Sequence, residues 1–162
     1  MTKWLLLSAL IVALDQATKL VVTQHFTVGS LLEVTPFLNL VLVYNRGAAF
    51  SLLSDGGGWQ RPLFIAIAVI ASVWIVFLLR KYSRERLFAL ALALVLAGAL
   101  GNLIDRVLIG AVIDFLDLHA FGFHWPAFNV ADSAITCGAV LLAWDALRPR
   151  KDPDLTAKTQ GR

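Results

Sequence analysis

Two long apolar runs without a single charge, at 63–79 and 87–104, constrain this 162-residue chain more than any other feature. A helix needs about 20 apolar residues to cross a bilayer, and both runs approach that length. Charged residues make up 15% of the chain, whereas ordinary soluble domains contain about 25%. The sequence therefore predicts an all-α membrane protein with four transmembrane helices. The predicted spans lie at about 4–22, 63–79, 87–104 and 130–147.

Basic residues predict which side of the membrane each connection occupies. Ten of the 14 Lys and Arg residues lie at the N-terminus, in the loop at 80–86 or after residue 147. Because basic loops stay in the cytoplasm, both termini are predicted to be cytoplasmic, and 151–162 to be a disordered tail. The same clustering beside apolar segments gives no reason to expect nucleic-acid binding. The segments 23–61 and 107–129 are then extracytoplasmic.

The first outer segment contains a β-type run at 37–44, Phe-Leu-Asn-Leu-Val-Leu-Val-Tyr. Three consecutive glycines at 56–58 predict a flexible link before the second span. We therefore expect a small extracytoplasmic β-platform on the four helices, with residues 1–150 forming one domain.

Polar residues within the first span need an explanation. Asp15 and Lys19 lie four residues apart, on one face of a helix. This pair, and the lack of a small-x-small cleavage motif, favour a retained span over a cleaved signal peptide. An ionisable residue inside a span is a functional hypothesis, although a purely structural ion pair explains these two equally well.

Small residues predict how the third span packs. Ala89, Ala93, Ala97 and Gly101 recur every fourth residue and form one helix face of small side chains. Such a face lets helix backbones approach closely in lipid. The alternative is that the stripe only reflects a chain rich in alanine.

A polar cluster ends the third span, where Asn102, Asp105 and Arg106 share one helix face. Counted from the inner surface at 1.5 Å per residue, Arg106 reaches the outer surface. Asp114 and Asp132 are predicted at the same level. Two carboxylates brought together can share a proton and act as general acid and base. Asp132 could instead serve only as a residue that starts the fourth helix.

Other chemistries have weaker support in the sequence. His25, His119 and His124 show no metal-ligand spacing, so no metal and no cofactor are predicted. Cys137, the only cysteine, is expected to pack within a span rather than to act as a nucleophile.

A small proton-coupled transporter or channel is the alternative function. It would use Asp15, Lys19, Asp105 and Asp132 as a relay across the bilayer. The predicted depths disfavour this function, because only Asp15 and Asp145 lie apart from the acidic cluster at the outer surface.

Five motifs in order resemble the bacterial lipoprotein signal peptidases, or signal peptidase II. They are Asp-x-x-x-Lys at 15–19, Asn-Arg-Gly-Ala-Ala-Phe at 45–50, Gly-Asn-Leu-Ile-Asp-Arg at 101–106, Val-Ile-Asp-Phe at 112–115 and Phe-Asn-Val-Ala-Asp-Ser at 128–133. One departure is Ala97-Gly98, where the family often has two glycines.

The resemblance implies an inner-membrane aspartyl endopeptidase, acting at the extracytoplasmic surface, that cuts diacylated prolipoproteins just before the lipidated cysteine. Asp114 and Asp132 match the family's catalytic pair. The remaining matched positions bind substrate or support the site: Asn45, Asn102, Asp105, Arg106, Asn129, Asp15 and Lys19. The expected partners are prolipoprotein substrates and membrane lipid, and the expected state is a monomer.

Overall fold

A computed structural model describes residues 1–47 and 58–148. Four helices within these residues are long and apolar enough to cross a membrane, which confirms the predicted fold. They are α1 (Thr2–His25), α2 (Gln60–Tyr82), α3 (Arg86–Leu108) and α4 (Val130–Leu147). The fourth helix has the predicted bounds, and the other three extend past theirs by a few residues. The predicted link at Gly56 and Gly57 and the tail at 151–162 lie outside the described residues.

A four-stranded antiparallel sheet joins the helices, in the spatial order β1-β2-β3-β4. Its strands are β1 (Leu31–Thr35), β2 (Leu38–Asn45), β3 (Val112–Ala120) and β4 (Phe123–His124). Strand β2 confirms the run predicted at 37–44, whereas β3 was not predicted as a strand. Because β1 follows α1 and β3 follows α3, the sheet lies where these helices end.

Helix α3 lies at the centre of the bundle and packs against each of the other three helices. Glycines allow the closest approaches. A Cβ on Gly101 would lie 2.6 Å from Asp15 Oδ2, and one on Gly138 would lie 2.8 Å from the carbonyl oxygen of Ala91. Ala89, Ala93 and Ala97 are completely buried. The predicted small-residue face is therefore a packing surface.

Two apolar clusters fix the bundle and the sheet. One joins α2 to α3 through Ile75, Leu79 and Leu96 and their neighbours. The other holds the end of α1 against the sheet, with Val22 packed against Leu42. Large apolar side chains on the outer helix faces are exposed, as expected for a protein whose surroundings are lipid.

Candidate active site

Asp114 lies on β3 with its side chain buried. Its Oδ2 accepts a hydrogen bond of 3.1 Å from Asn45 Nδ2, and its Oδ1 accepts one of 2.7 Å from Asn129 Nδ2. Burial and the nearby Asp132 raise the pKa of Asp114 to about 7, outweighing the opposing effect of the two amides. This carboxyl group can therefore carry a proton near neutral pH.

Asp132 lies in the first turn of α4, as predicted, and takes part in capping the helix. Asn129 is the N-cap: its Oδ1 accepts a bond of 2.8 Å from the backbone N–H of Asp132. Asp132 Oδ2 accepts the backbone N–H of Asn129 in return, at 3.3 Å. Its other oxygen, Oδ1, accepts a bond of 2.7 Å from Asn102 Nδ2. The helix-start role and a place in the site are thus compatible.

Asn129 brings the two carboxylates together. It is completely buried, and it bonds Asp114 through its side-chain amide and Asp132 through both its side chain and its backbone. Because one residue bonds both acids, the pair is fixed at the junction of β3 and α4. Two carboxylates held in this way can divide the roles of proton donor and proton acceptor.

Both carboxylates line a groove of about 790 Å³ between α2 and α4. Asn45, Asn102 and Arg106 also line it, so three more of the predicted site residues face the same space. Most of the remaining wall is apolar: Phe64, Ile67, Ala68, Ala71, Leu118 and Trp125. The groove therefore combines a polar end with a surface suited to an apolar ligand.

Arg106 is held at the polar end of the groove. Its guanidinium lies over the Phe64 ring, 5.1 Å from the centroid, and bonds the carbonyl oxygens of Asn102 and Gly47 at 3.5 and 3.4 Å. Arg61 of α2 bonds the carbonyl oxygens of Arg106 and Val107, at 2.9 and 2.8 Å. These contacts fasten the start of α2 to the end of α3.

Three predicted site residues, Asp15, Lys19 and Asp105, form a buried cluster behind the groove rather than lining it. The Lys19–Asp15 pair has the expected spacing, with a distance of 2.8 Å. Lys19 also pairs with Asp105 at 2.7 Å, a contact that the sequence did not predict. The sequence placed Asp15 at a different depth from the other carboxylates. In the structure it lies close to them, because it accepts the backbone N–H of Ala131, the residue before Asp132, at 2.9 Å.

Sequence reasoning also missed some residues. Gln16 donates to Asp15, to Asp105 and to the Gly101 carbonyl, and nothing in the sequence distinguished it. The spacing of Asn129 and Asp132 is that of a capping box, a signal that could have identified Asn129 as the N-cap.

Cys137 is the clearest correction. It is exposed and lines the groove, rather than being packed inside the bundle. The apolar residues of α4 show no helical periodicity from which the sequence could assign its inner face.

Metal ligation has no support among the residues described. Within 1–47 and 58–148, no three His, Cys, Asp or Glu side chains form a group that could hold a metal ion.

Comparison with known proteins identifies the family to which this chain is similar. The family model for signal peptidase (SPase) II matches residues 7–148. A lipoprotein signal peptidase of Janthinobacterium sp. (strain Marseille) is 56% identical over 148 residues, which cover 91% of this chain and 90% of that protein. One from Burkholderia thailandensis is 54% identical over 145 residues, covering 90% and 87% of the two chains.

Solved structures show the same fold. One bacterial membrane enzyme superposes with a TM-score of 0.84 at 34% identity and covers 94% of both chains. A second has a TM-score of 0.81 at 36% identity, over 93% of this chain and 96% of the other. The sequence and structural matches together extend over nearly the whole chain. It therefore belongs to the signal peptidase II family of bacterial membrane proteases.

Proposed function

We propose that this protein is an intramembrane aspartyl endopeptidase that removes signal peptides from diacylglyceryl-modified prolipoproteins, cutting just before the lipidated cysteine. The observation that carries the proposal is the pairing of Asp114 and Asp132 through Asn129 at the polar end of an apolar groove. A signal peptide is itself an apolar helix, so its cleavage site would arrive at this polar end from the lipid.

The two acids have different surroundings, which suggests different roles. Asp132 lies in the first turn of α4, where backbone N–H groups and the helix dipole favour a charged carboxylate. The raised pKa of Asp114, about 7, favours its protonated form. Asp132 then takes a proton from water while the water oxygen attacks the peptide carbon, and Asp114 gives its proton to the peptide oxygen.

The second half of the reaction reverses these roles. Asp114 recovers a proton from the tetrahedral intermediate as the C–N bond breaks, and Asp132 gives its proton to the leaving amine. The pair returns to its starting state with one shared proton. Asn45, Asn102 and Asn129 hold the carboxylate oxygens through this cycle. All of these groups belong to one chain, which supports a monomeric enzyme.

The location of the site defines the orientation that the proposal requires. Signal peptides are cut on the outer side of the inner membrane, so the sheet and the polar end of the groove would be extracytoplasmic and both termini cytoplasmic. Reporter fusions after Gly58 and after Arg148 test this orientation. A reporter active only outside the cytoplasm should work in the first fusion and fail in the second, and the reverse result would contradict the proposal.

A cleavage assay tests the reaction itself. The full chain, purified in lipid, should release the signal peptide from a diacylated prolipoprotein and leave the same substrate uncut when its cysteine is not lipidated. EDTA should leave this activity intact, because carboxylates alone activate the water. Loss of cleavage in EDTA, restored by a divalent metal, would replace the carboxylate mechanism with metal-activated water.

The same preparation tests the transporter alternative. That function predicts proton flux across vesicles without cleavage. The structure gives it little support, because Asp15, Lys19, Asp105 and Asp132 are linked at one end of the bundle through direct contacts and through Asn102 and Ala131.

A further inference from the structure

Lys19 lies behind the groove with only 2% of its side chain exposed. Its Nζ is 2.8 Å from Asp15 Oδ2, 2.7 Å from Asp105 Oδ2 and 3.2 Å from Asn102 Oδ1. An ammonium group has three N–H donors and no acceptor; here it donates to Asp15 and Asn102 and forms an ion pair with Asp105. Lys19 is thus held in place by three specific side chains.

The two carboxylates around Lys19 have matching surroundings. Each also accepts from Gln16 Nε2, at 3.1 Å for Asp15 and 2.9 Å for Asp105. Each also accepts one backbone N–H, that of Ala131 at 2.9 Å for Asp15 and that of Ile113 at 3.1 Å for Asp105. These two backbone donors come from different elements, the start of α4 and the start of β3.

The positions of those donors carry the inference. Ala131 immediately precedes Asp132, and Ile113 immediately precedes Asp114. Each member of the proposed catalytic pair is therefore tethered, one residue away, to a carboxylate that Lys19 binds. A shift of the ammonium would be transmitted to both acids at once.

Asn102 provides a third connection. Its Oδ1 accepts from Lys19 and its Nδ2 donates to Asp132 at 2.7 Å. Because an ammonium group can only donate, Lys19 requires the oxygen of the Asn102 amide to face it, and the NH₂ group then faces Asp132. Asn129 Nδ2 donates to the same oxygen at 3.2 Å, so Lys19 and Asn129 together fix the orientation of this amide.

We propose that Lys19, supported by Gln16, is a positioning residue for the catalytic pair: it aligns Asp114 through Asp105, aligns Asp132 through Asp15, and orients Asn102 towards Asp132. This inference rests on the proposed function and extends it to two residues that do not line the groove. It differs from a purely structural ion pair because it predicts an effect on turnover in molecules that are fully folded.

The charge of Lys19 has a second consequence. The charged groups that interact with Asp114 include Asp132 from α4, Lys19 from α1 and Arg106 from α3. Asp15 and Asp105 are paired with Lys19. Burial and then Asp132 raise the pKa of Asp114, and Lys19 opposes that rise. Removing the positive charge should raise the pKa further, so activity should persist to higher pH.

Three substitutions to methionine test the proposal in the purified full chain, assayed with a diacylated prolipoprotein across a range of pH. Lys19→Met removes the charge and all three donors, whereas Gln16→Met removes only the flanking amide. Lys3→Met is the matched control, because Lys3 is exposed near the N-terminus. The measured quantities are kcat per folded molecule, KM, the alkaline limb of the pH profile and the thermal midpoint.

Lys19→Met should lower kcat about tenfold or more and move the alkaline limb to higher pH. Gln16→Met should lower kcat by a smaller factor and leave the alkaline limb in place, and Lys3→Met should change neither. A Lys19→Met protein that is less stable but keeps its kcat and pH profile would overturn the proposal.

If Lys19→Met does not fold, the Gln16→Met variant becomes the test of the proposal. A wild-type kcat in Gln16→Met would then overturn it. The failure of the proposed function is a separate result. In that case Asp114→Asn and Asp132→Asn would themselves cleave substrate at the wild-type rate.

Discussion

The two sides of α3 contrast in what they do with polar groups. Towards α1, the chain seals Asp15, Lys19 and Asp105 so completely that none of them is more than 2% exposed. Towards α2, the helix instead presents Asn102 and Arg106 to an open groove. The contrast indicates a division of labour, because exact placement of charged groups requires close packing whereas entry of a substrate requires space. The proposed catalytic pair lies at the boundary, bonded from the sealed side and open to the groove.

Neutralising either acid should produce the largest effect, because it removes the groups that meet at this boundary. Asp114→Asn and Asp132→Asn should each lower turnover by about three orders of magnitude or more, and the double variant should be little worse, since residues that act as a unit are not additive. Asparagine keeps the shape, so both proteins should still fold and bind substrate. Cleavage rates and substrate binding, measured side by side, check this. A single variant with near wild-type cleavage would remove that residue from the pair.

The contrast also explains how much of the fold the sequence could predict. Hydropathy is a local signal, and it located all four spans. It ended the first span too early, because Thr23 and His25 look like loop residues. In the structure, Thr23 Oγ1 bonds the Lys19 carbonyl at 2.9 Å and His25 Nδ1 lies 2.9 Å from the Val21 carbonyl. The polar side chains are thus satisfied within the helix, which continues beyond the apolar run.

The sequence did not predict strand β3, because of its acidic residues. It carries Asp114 and Asp117, and acidic residues are depleted in strands. Each of these carboxylates is paired with an asparagine of β2: Asn45 donates to Asp114 at 3.1 Å, and Asn39 donates to Asp117 at 2.9 Å. Such pairs exist only once the sheet has formed, so no local pattern could reveal them.

The candidate site, like the fold, could be predicted only in part from the sequence. Motif resemblance selected the acids and the asparagines that line the groove, whereas the contact between Lys19 and Asp105 depends on how α1 packs against α3. The sequence therefore identified the side chains at the groove better than the connections behind it.

A third face of α3, the one that packs against α4, can be tested by overpacking it. Gly138 of α4 is buried against α3, and its neighbour Ala139 is exposed. Gly138→Val should lower the free energy of unfolding by about 3 kcal/mol, because its new side chain meets the Val95 side chain and the Ala91 backbone. Ala139→Val, the matched control, should have little effect. Thermal unfolding followed by tryptophan fluorescence measures both, and equal midpoints would show that this face is not closely packed.

The protonation state of Asp114 predicts a smaller effect, a dependence of activity on pH. The proposed mechanism needs Asp114 protonated, and its pKa of about 7 means that the protonated fraction falls about 50-fold between pH 7 and pH 9. The kcat/KM should fall in parallel. Asn45→Ala removes an amide that favours the ionised form, so it should raise the pKa of Asp114 and move this fall to higher pH.

Asn39→Ala is the control for that experiment. Its amide donates to Asp117 rather than to Asp114, although both asparagines lie on β2. An equal shift of the alkaline limb in both variants would mean that the limb reports the sheet as a whole and not the hydrogen bond to Asp114.

The smallest effect is expected at Cys137, which lies next to Gly138 but faces the groove. Cys137→Ala should keep activity within about twofold of wild type, because an exposed side chain away from bonded networks contributes little to stability. A bulky maleimide should nevertheless inhibit the wild-type protein, since the adduct occupies space that the substrate needs, and the alanine variant should resist it. Bound substrate should slow the labelling. If Cys137→Ala loses activity as completely as the aspartate variants do, the thiol takes part in the chemistry and the groove side is not merely a passage for substrate.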